Sequence, residues 1–288
     1  MSITTLNIET DGIRGLITKG KTLEWWGSIP LAPGVIRDGT VLDQQALGEA
    51  INEMLKDKKT VDRNKIVFSL TGLHFTFRIL PIPKSKPAEL AATIRRAAKK
   101  EMPLPLEELY LSWQQLDTKG DRQDVFVLGV PKEPVDLMKE ALKAANIKPY
   151  IMDVKALALA RVADCREALL LDLEPDNFGI TLVVDGVPSI MRTFIPRRGD
   201  TLLEDNVRRL AAEVVRTVEF FNRDHVENPL SPSTPVFLTG AMADNEETTR
   251  IVQGEIEYPL KSLLLPFVHD STFPVASYAV NIGLALRG

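Results

Sequence analysis

Two short polar stretches in this sequence have residue types suited to holding an anion. One is Asn7, followed by Thr10, Asp11 and Gly12; the other is Asp172, followed by Asp176 and Asn177. Each lies at the end of one apolar run and before another, so each reads as a tight turn between two strands. In the second turn Pro175 fixes φ, and Asp and Asn bond their own backbone. Successive N–H groups in such a turn form an anion-binding concavity. Two of them face to face would clamp a phosphate chain with its metal between them. Asp11 and Asp172 are the groups there that could serve as metal ligand or general base, but with turns this rich in acid neither is assigned catalytic or metal-binding work. Other chemistries lack their residues. His74, His225 and His269 are scattered without metal-ligand spacing, Cys165 has no C-x-x-C partner, and no P-loop, G-x-S-x-G or H-E-x-x-H pattern occurs.

The elements that must position these turns are duplicated. Leu169 to Leu173, Ile180 to Val184 and Val187 to Ile195 read as three strands, with Glu174 to Asn177 and the hairpin pair Asp185-Gly186 between them. Arg198-Gly199-Asp200-Thr201 then opens a helix. At the N-terminus Leu6-Asn7-Ile8-Glu9 matches Leu171-Asp172-Leu173-Glu174, Thr10-Asp11-Gly12 matches Pro175-Asp176-Asn177, and Lys19-Gly20 matches Asp185-Gly186. Ile29-Pro30 matches Ile195-Pro196, with Gly34 near Gly199. Two copies exclude a solenoid and predict a duplicated domain.

With 288 residues, 44% of them hydrophobic, the chain can bury a sizeable core; 26% are charged and the net charge is −4, which leaves no footprint for nucleic acid. One cysteine predicts a reducing compartment. No apolar run approaches the roughly 20 residues of a membrane span, and the first residues do not resemble a signal peptide. A cytoplasmic protein is expected.

Between the two copies, strands and helices alternate. Trp25 and Trp26 are neighbours on a strand, so one ring is expected in the core and the other at an edge. Leu31 to Gly39 reads as a loop. Asp43 is the expected N-cap of a helix to Asp57 whose buried face is Ala46, Leu47, Ile51, Met54 and Leu55. Strands are expected over Lys65 to Leu70 and His74 to Leu80, around Thr71-Gly72, and Pro81-Ile82-Pro83 as a rigid link that stops the ladder. A helix over Pro87 to Glu101 carries Arg95, Arg96, Lys99 and Lys100. These are read either as a solvated face or as a basic stripe for a membrane surface or an acidic partner. Strands over Leu109 to Leu116 and Asp124 to Val130 flank a charged turn, Thr118 to Gln123. Helices over Lys132 to Ala145 and Val154 to Ala163 flank a strand, Lys148 to Asp153. The C-terminal part reads as a helix Leu202 to Arg223, a strand Pro235 to Thr239, a helix Asp244 to Gly254, a strand Ile256 to Leu260 and a last helix Ser277 to Leu286.

Several ordered stretches resemble PilM, the actin-like protein of the type IV pilus inner-membrane platform and a relative of the cell-division protein FtsA. They are Leu31 to Ile36 with Asp38-Gly39, Arg78 to Pro83, Ile94 to Glu101 with Pro103, and Leu106 to Glu108. Val127 to Glu133 and Lys148 to Val154 with Ala156, Ala158, Leu159 and Arg161 continue the series, as do Glu213, Arg216, Phe220 and Phe221, then Phe237 to Gly240 and Gly283 to Arg287. The resemblance implies an α/β, actin-like (ribonuclease H-like) duplicated two-lobe fold, with an inserted small α/β subdomain and a reduced second helical subdomain. The boundaries expected are 1–70 with 154–168 for the first lobe, 71–153 for the insert and 169–288 for the second lobe. It also implies ATP with Mg²⁺ in the cleft, with Gly240 and Ala241 in the adenosine loop.

The chain departs from the family where a nucleotide would sit. Asn7 stands for an Asp, Glu9 for a Gly, and Glu174-Pro175 for small residues; an Asn lacks the charge to hold hydrated Mg²⁺, and Pro175 removes an N–H. Ala241 and Met242 follow Gly240 where a second glycine is usual. Only one helix fits between Gly199 and Pro235, so the helical wall over the base is missing. A scaffold holding no nucleotide strongly is the leading expectation, then a nucleotide-bound switch or weak ATPase, and last a small-molecule kinase. The partner implied is the N-terminal tail of a PilN-like single-span membrane protein. In the family that tail lies between the first lobe and the insert; here Ile79, Leu80, Pro81, Ile82, Pro103 and Leu104 are expected to line the groove. The chain would then sit at the inner face of the cytoplasmic membrane through its partner, with no amphipathic C-terminal anchor of the FtsA kind.

Overall fold

The computed structural model describes residues 2–58, 60–70, 72, 75–197 and 203–287. Thr71, His74, the helix opening expected at Arg198 to Thr201, the Gly199 equivalence and Leu202 lie outside them.

The chain opens with β1 (Ser2–Ile8), β2 (Gly12–Lys19) and β3 (Thr22–Pro30), an antiparallel meander of β-branched and aromatic residues. Gly20, at φ 59°, and Lys21 make the β2–β3 turn, one residue later than Lys19-Gly20. The expected loop folds into a small hairpin, β4 (Ile36–Arg37) and β5 (Thr40–Val41), turned by Asp38 and Gly39 at positive φ. Next is α1 (Gln44–Leu55), whose N-cap is Asp43 accepting from the Ala46 N–H at 2.9 Å.

β6 (Ile66–Leu70) and β7 (Thr76–Pro83) follow, then α2 (Pro87–Glu101), β8 (Leu109–Lys119), β9 (Arg122–Pro131), α3 (Lys132–Ala144), β10 (Ile151–Val154) and α4 (Lys155–Ala163). Pro81-Ile82-Pro83 does not stop the ladder: it pairs with Gln123 and its neighbours in β9. β7 is an edge strand, where the missing proline N–H groups cost nothing. The charged turn also narrows, to Gly120 and Asp121, because the ladder reaches Lys119 and Arg122.

The second half is β11 (Ala168–Leu173), β12 (Phe178–Val184), β13 (Val187–Phe194), α5 (Leu203–Asp224), β14 (Val236–Thr239), α6 (Glu246–Glu255) and α7 (Ala279–Ala285). Ile256 to Leu260 makes a single bridge to Val236 rather than a strand.

The duplication is literal. One sheet has the order β3-β2-β1-β6-β10 and the other β13-β12-β11-β14, each an antiparallel meander extended by parallel strands on its first member. The turns superpose in hydrogen bonding: the Glu9 N–H donates to Gly12 O at 2.9 Å, and the Glu174 N–H to Asn177 O at 3.0 Å.

Five layers result. α1 and α3 cover one face of the first sheet, α4 and α7 lie between the sheets, and α5 and α6 cover the far face of the second. Trp25 packs against the outer core and Trp26 against the central one, edge-on to Phe273; both are half-buried on β3, the edge strand of the sheet, so each ring contacts a core. Asn281 of α7, fully buried, donates to Thr5 O and Arg14 O. α4 and α7 touch at Gly283, where a Cβ would meet Ala158 O at 2.0 Å.

The sheets also redraw the insert expected over 71–153. β10 pairs with β6, and α3 packs on α1, so both belong with the first sheet. What projects is the three-stranded sheet β7-β9-β8 with α2 on one face. A final segment straps the two sheets together. Lys261 donates to Val236 O in the second, Val268 exchanges bonds with Lys21 and Leu23 in the first, and Leu263, Leu265 and Phe267 between them lean on the central core.

Candidate functional site

Where the two duplicated turns face each other, the sequence supplies acids, and the fold brings cations to them. β1 ends with Asn7 and Ile8, and Glu9 follows; β11 carries Asp172, and Glu174 follows its end. All three carboxylates are buried, with relative exposures of 3%, 6% and 1%. Buried carboxylates need partners. Lys155, the first residue of α4, places its Nζ 2.6 Å from Glu9 Oε1 and 2.6 Å from Asp172 Oδ2, with Glu174 Oε1 at 3.8 Å. It therefore joins both turns at once. Arg14 of β2 grips Glu174 with two parallel bonds, 2.6 and 2.7 Å.

Neutral groups complete the cluster. Asn7 donates to Glu9 and accepts from the Ser69 hydroxyl, which in turn accepts from the Ile8 N–H. Thr239 of β14 donates to Asp172 at 2.9 Å, and the Ala241 N–H donates to Glu174 at 3.3 Å. Burial pushes the Glu9 carboxyl up to about 7 against the pull of Lys155, with Glu174 and Asp172 adding to the rise. Burial alone would lower the Lys155 ammonium, but Asp172, Glu9 and Glu174 outweigh it and raise it. The Arg14 guanidinium is likewise raised by Glu174 against its burial. Two cations face three acids, and a proton on Glu9 brings the cluster to neutrality.

The expected site residues divide. Asn7 and Asp172 are inside the cluster, and Ala241 reaches it through its backbone. Gly240, at φ 91°, lies against the Leu173 backbone, where a Cβ would meet Leu173 O at 2.5 Å. Gly12 closes the first turn. Thr10 and Asp11 are exposed and Asp176 and Asn177 half-buried, with Asn177 donating to Asp176. Arg14 and Lys155 escaped sequence reasoning. Glu9 and Glu174 were visible only as departures, although two acids added to turns that must be buried already called for cations. Among the described residues no group of His, Cys, Asp and Glu is arranged to hold a metal.

Beside the cluster lies a groove of about 690 Å³ between the first sheet and the projecting one. Its floor is apolar: Leu70, Leu128, Val130, Val135, Met152 and Leu157. One wall is β8, an edge strand, through Tyr110, Ser112 and Gln114. The lining also includes Arg161 and Arg287, which share the buried Asp153 at 2.8 and 2.5 Å, and Lys139, whose Nζ lies against Tyr110 of β8. None of the six residues expected to line a groove lines this one. Ile79 to Ile82 belong to β7, on the other edge of that sheet; Leu80 and Ile82 are buried under α2, with exposures of 5% and 1%. Pro103 and Leu104 lie beyond the end of α2. The reason is the β7-β9 pairing, which was read as a proline link.

Residues 13–195, more than half of the chain, match the family model described as type IV pilus assembly protein PilM. Among solved structures, a PilM-PilN type IV pilus biogenesis complex is 24% identical, with a TM-score of 0.80, covering 99% of this chain and 98% of that one. The ethanolamine utilization protein EutJ from Carboxydothermus hydrogenoformans is 12% identical, covering 100% and 90% at a TM-score of 0.54. The cytoplasmic domain of EpsL, an inner membrane component of the type II secretion system of Vibrio cholerae, is 14% identical, covering 100% and 96% at 0.53. The fold is thus the duplicated actin-like one. Among the described residues no helix is long and apolar enough to cross a membrane.

Proposed function

The chain belongs to the type IV pilus assembly protein PilM family, and on that premise we propose that it is a scaffold of a pilus or related secretion platform. It holds the N-terminal tail of a PilN-like membrane protein at the inner face of the cytoplasmic membrane, and works without bound nucleotide. The observation that carries the reading is the groove: an apolar floor beside β8, which among the described residues is an edge strand. An extended peptide adds to such an edge through its main chain and sets alternate side chains into the floor.

The ion cluster supports the second half of the proposal. Lys155 stands between the two turns, where a metal and phosphates would have to lie. The Glu9, Glu174, Ile8 and Ala241 N–H groups are bonded within the chain rather than offered to an anion. Lys155 and Arg14 are already engaged by the three carboxylates rather than turned to a triphosphate. The residues present do not fit Mg-ATP.

Ser112→Trp tests the groove, since Ser112 is exposed and its replacement fills the space without entering a core. A fluorescent peptide of the partner's tail is expected to bind the native chain and to bind Ser112→Trp at least about tenfold more weakly. Equal binding would remove the groove from the proposal.

A further inference from the structure

We propose that the exposed face of α2, with the Pro103-Leu104-Pro105 tip that follows it, docks on an anionic lipid bilayer. Leu90, Ile94, Ala97 and Ala98 hold α2 to its sheet, so the opposite face points outward in a fixed way. Arg95, Arg96, Lys99 and Lys100 are exposed on it, and Lys84 and Lys86 lead into it. Among the described residues none of the six pairs with a carboxylate within 4.0 Å. On this chain, whose net charge is −4, some exposed cations sit on acids, such as Lys139 on Asp136, Arg208 on Glu204 and Glu255, and Arg216 on Glu213; on α2, among the described residues, four cations outside such pairs share one face.

The helix dipole accounts for Lys99 and Lys100 in the last turn, but its field fades within about a turn of the end, short of Arg95. Cations kept together and unpaired on one rigid face repel each other. A surface dense in negative charge turns that repulsion into attraction, and each cation near anionic headgroups adds to it.

The tip selects a bilayer over a soluble acidic protein. After Met102 caps the helix, Leu104 stands 40% exposed between two exposed prolines. A cationic face beside a rigid apolar tip matches the headgroup–acyl boundary, which offers negative charge and hydrocarbon a few ångströms apart. The face and the groove do not compete. The four cations of α2 and Leu104 are not among the residues lining the groove; of β8, Tyr110, Ser112 and Gln114 line it, and Leu111 and Trp113 border it while packing in the core under α2.

The test is flotation of the full chain with vesicles of phosphatidylcholine containing about one-third phosphatidylglycerol, beside vesicles of phosphatidylcholine alone. Binding is expected only to the anionic vesicles at low salt, and is expected to vanish near about 0.5 M salt. The variant Arg95→Gln, Arg96→Gln, Lys99→Gln, Lys100→Gln should bind at least about tenfold more weakly, and Leu104→Asp should also weaken binding, both with unchanged melting temperature. No binding by the native chain, equal binding to neutral vesicles, or undiminished binding by the four-residue variant would each overturn the proposal.

Discussion

Lys155 shows how one side chain can reset the chemistry of a cleft. Removing it leaves Glu9 and Asp172 buried without their cation. Lys155→Met is therefore expected to lose about 3–5 kcal/mol in chemical denaturation at neutral pH. Glu9 makes a sharper test because its carboxyl is raised from 4.5 to about 7 in the fold. Below 4.5 both states are protonated, and above 7 both are ionised. Between those values the unfolded chain has released a proton that the folded chain keeps, so stability falls as pH rises through that window. The loss should approach about 3 kcal/mol by pH 8. Glu9→Gln should match the native chain at pH 4.5 and exceed it at pH 8; parallel stability profiles for the two would refute this. At this scale the sequence was half legible. Asn7 and Asp172 were marked by the repeat, but Lys155 lies 146 residues from Glu9 and nothing in its local pattern sets it apart.

At the scale of elements, the α4–α7 crossing at Gly283 leaves no room for a side chain. Its neighbour is backbone, which cannot rotate away as a side chain can. Gly283→Ala should push the helices apart and cost about 3 kcal/mol or more, read as a fall in melting temperature; a variant as stable as the native chain would show that the crossing gives. Most elements could be read from periodicity and caps, α1 with Asp43 and α2 with Pro87 among them. The misreading of Pro81-Ile82-Pro83 has a clear cause. Pro81 and Pro83 forbid a central strand but not an edge strand, and whether a strand is central or edge is decided by residues far away in β9. That same fact places Ile79 to Ile82 on β7, away from the groove beside β8.

For the whole molecule, the repeated three-strand unit was visible in advance because acids, turns and Ile-Pro pairs recur at matching spacing within each copy. The assignment of β10, α3 and α7 to the first sheet was not, since it depends on contacts between distant segments. Besides the shared central core, the ion cluster between the duplicated turns and the strap from β14 to β3 join the lobes. With both in place, Mg-ATP titrated to about 1 mM should give no binding heat and no rise in melting temperature; micromolar binding would show that the cluster yields to the nucleotide. The position of Lys155 has one more consequence. A bound nucleotide gives a protein a clock, since hydrolysis and exchange set how long each state lasts. The cation joining these turns is covalently part of the chain and has no off-rate. On the function proposed here, a molecule built this way would keep no time of its own, and the tempo of assembly around it would be set by the arrival and departure of its partners.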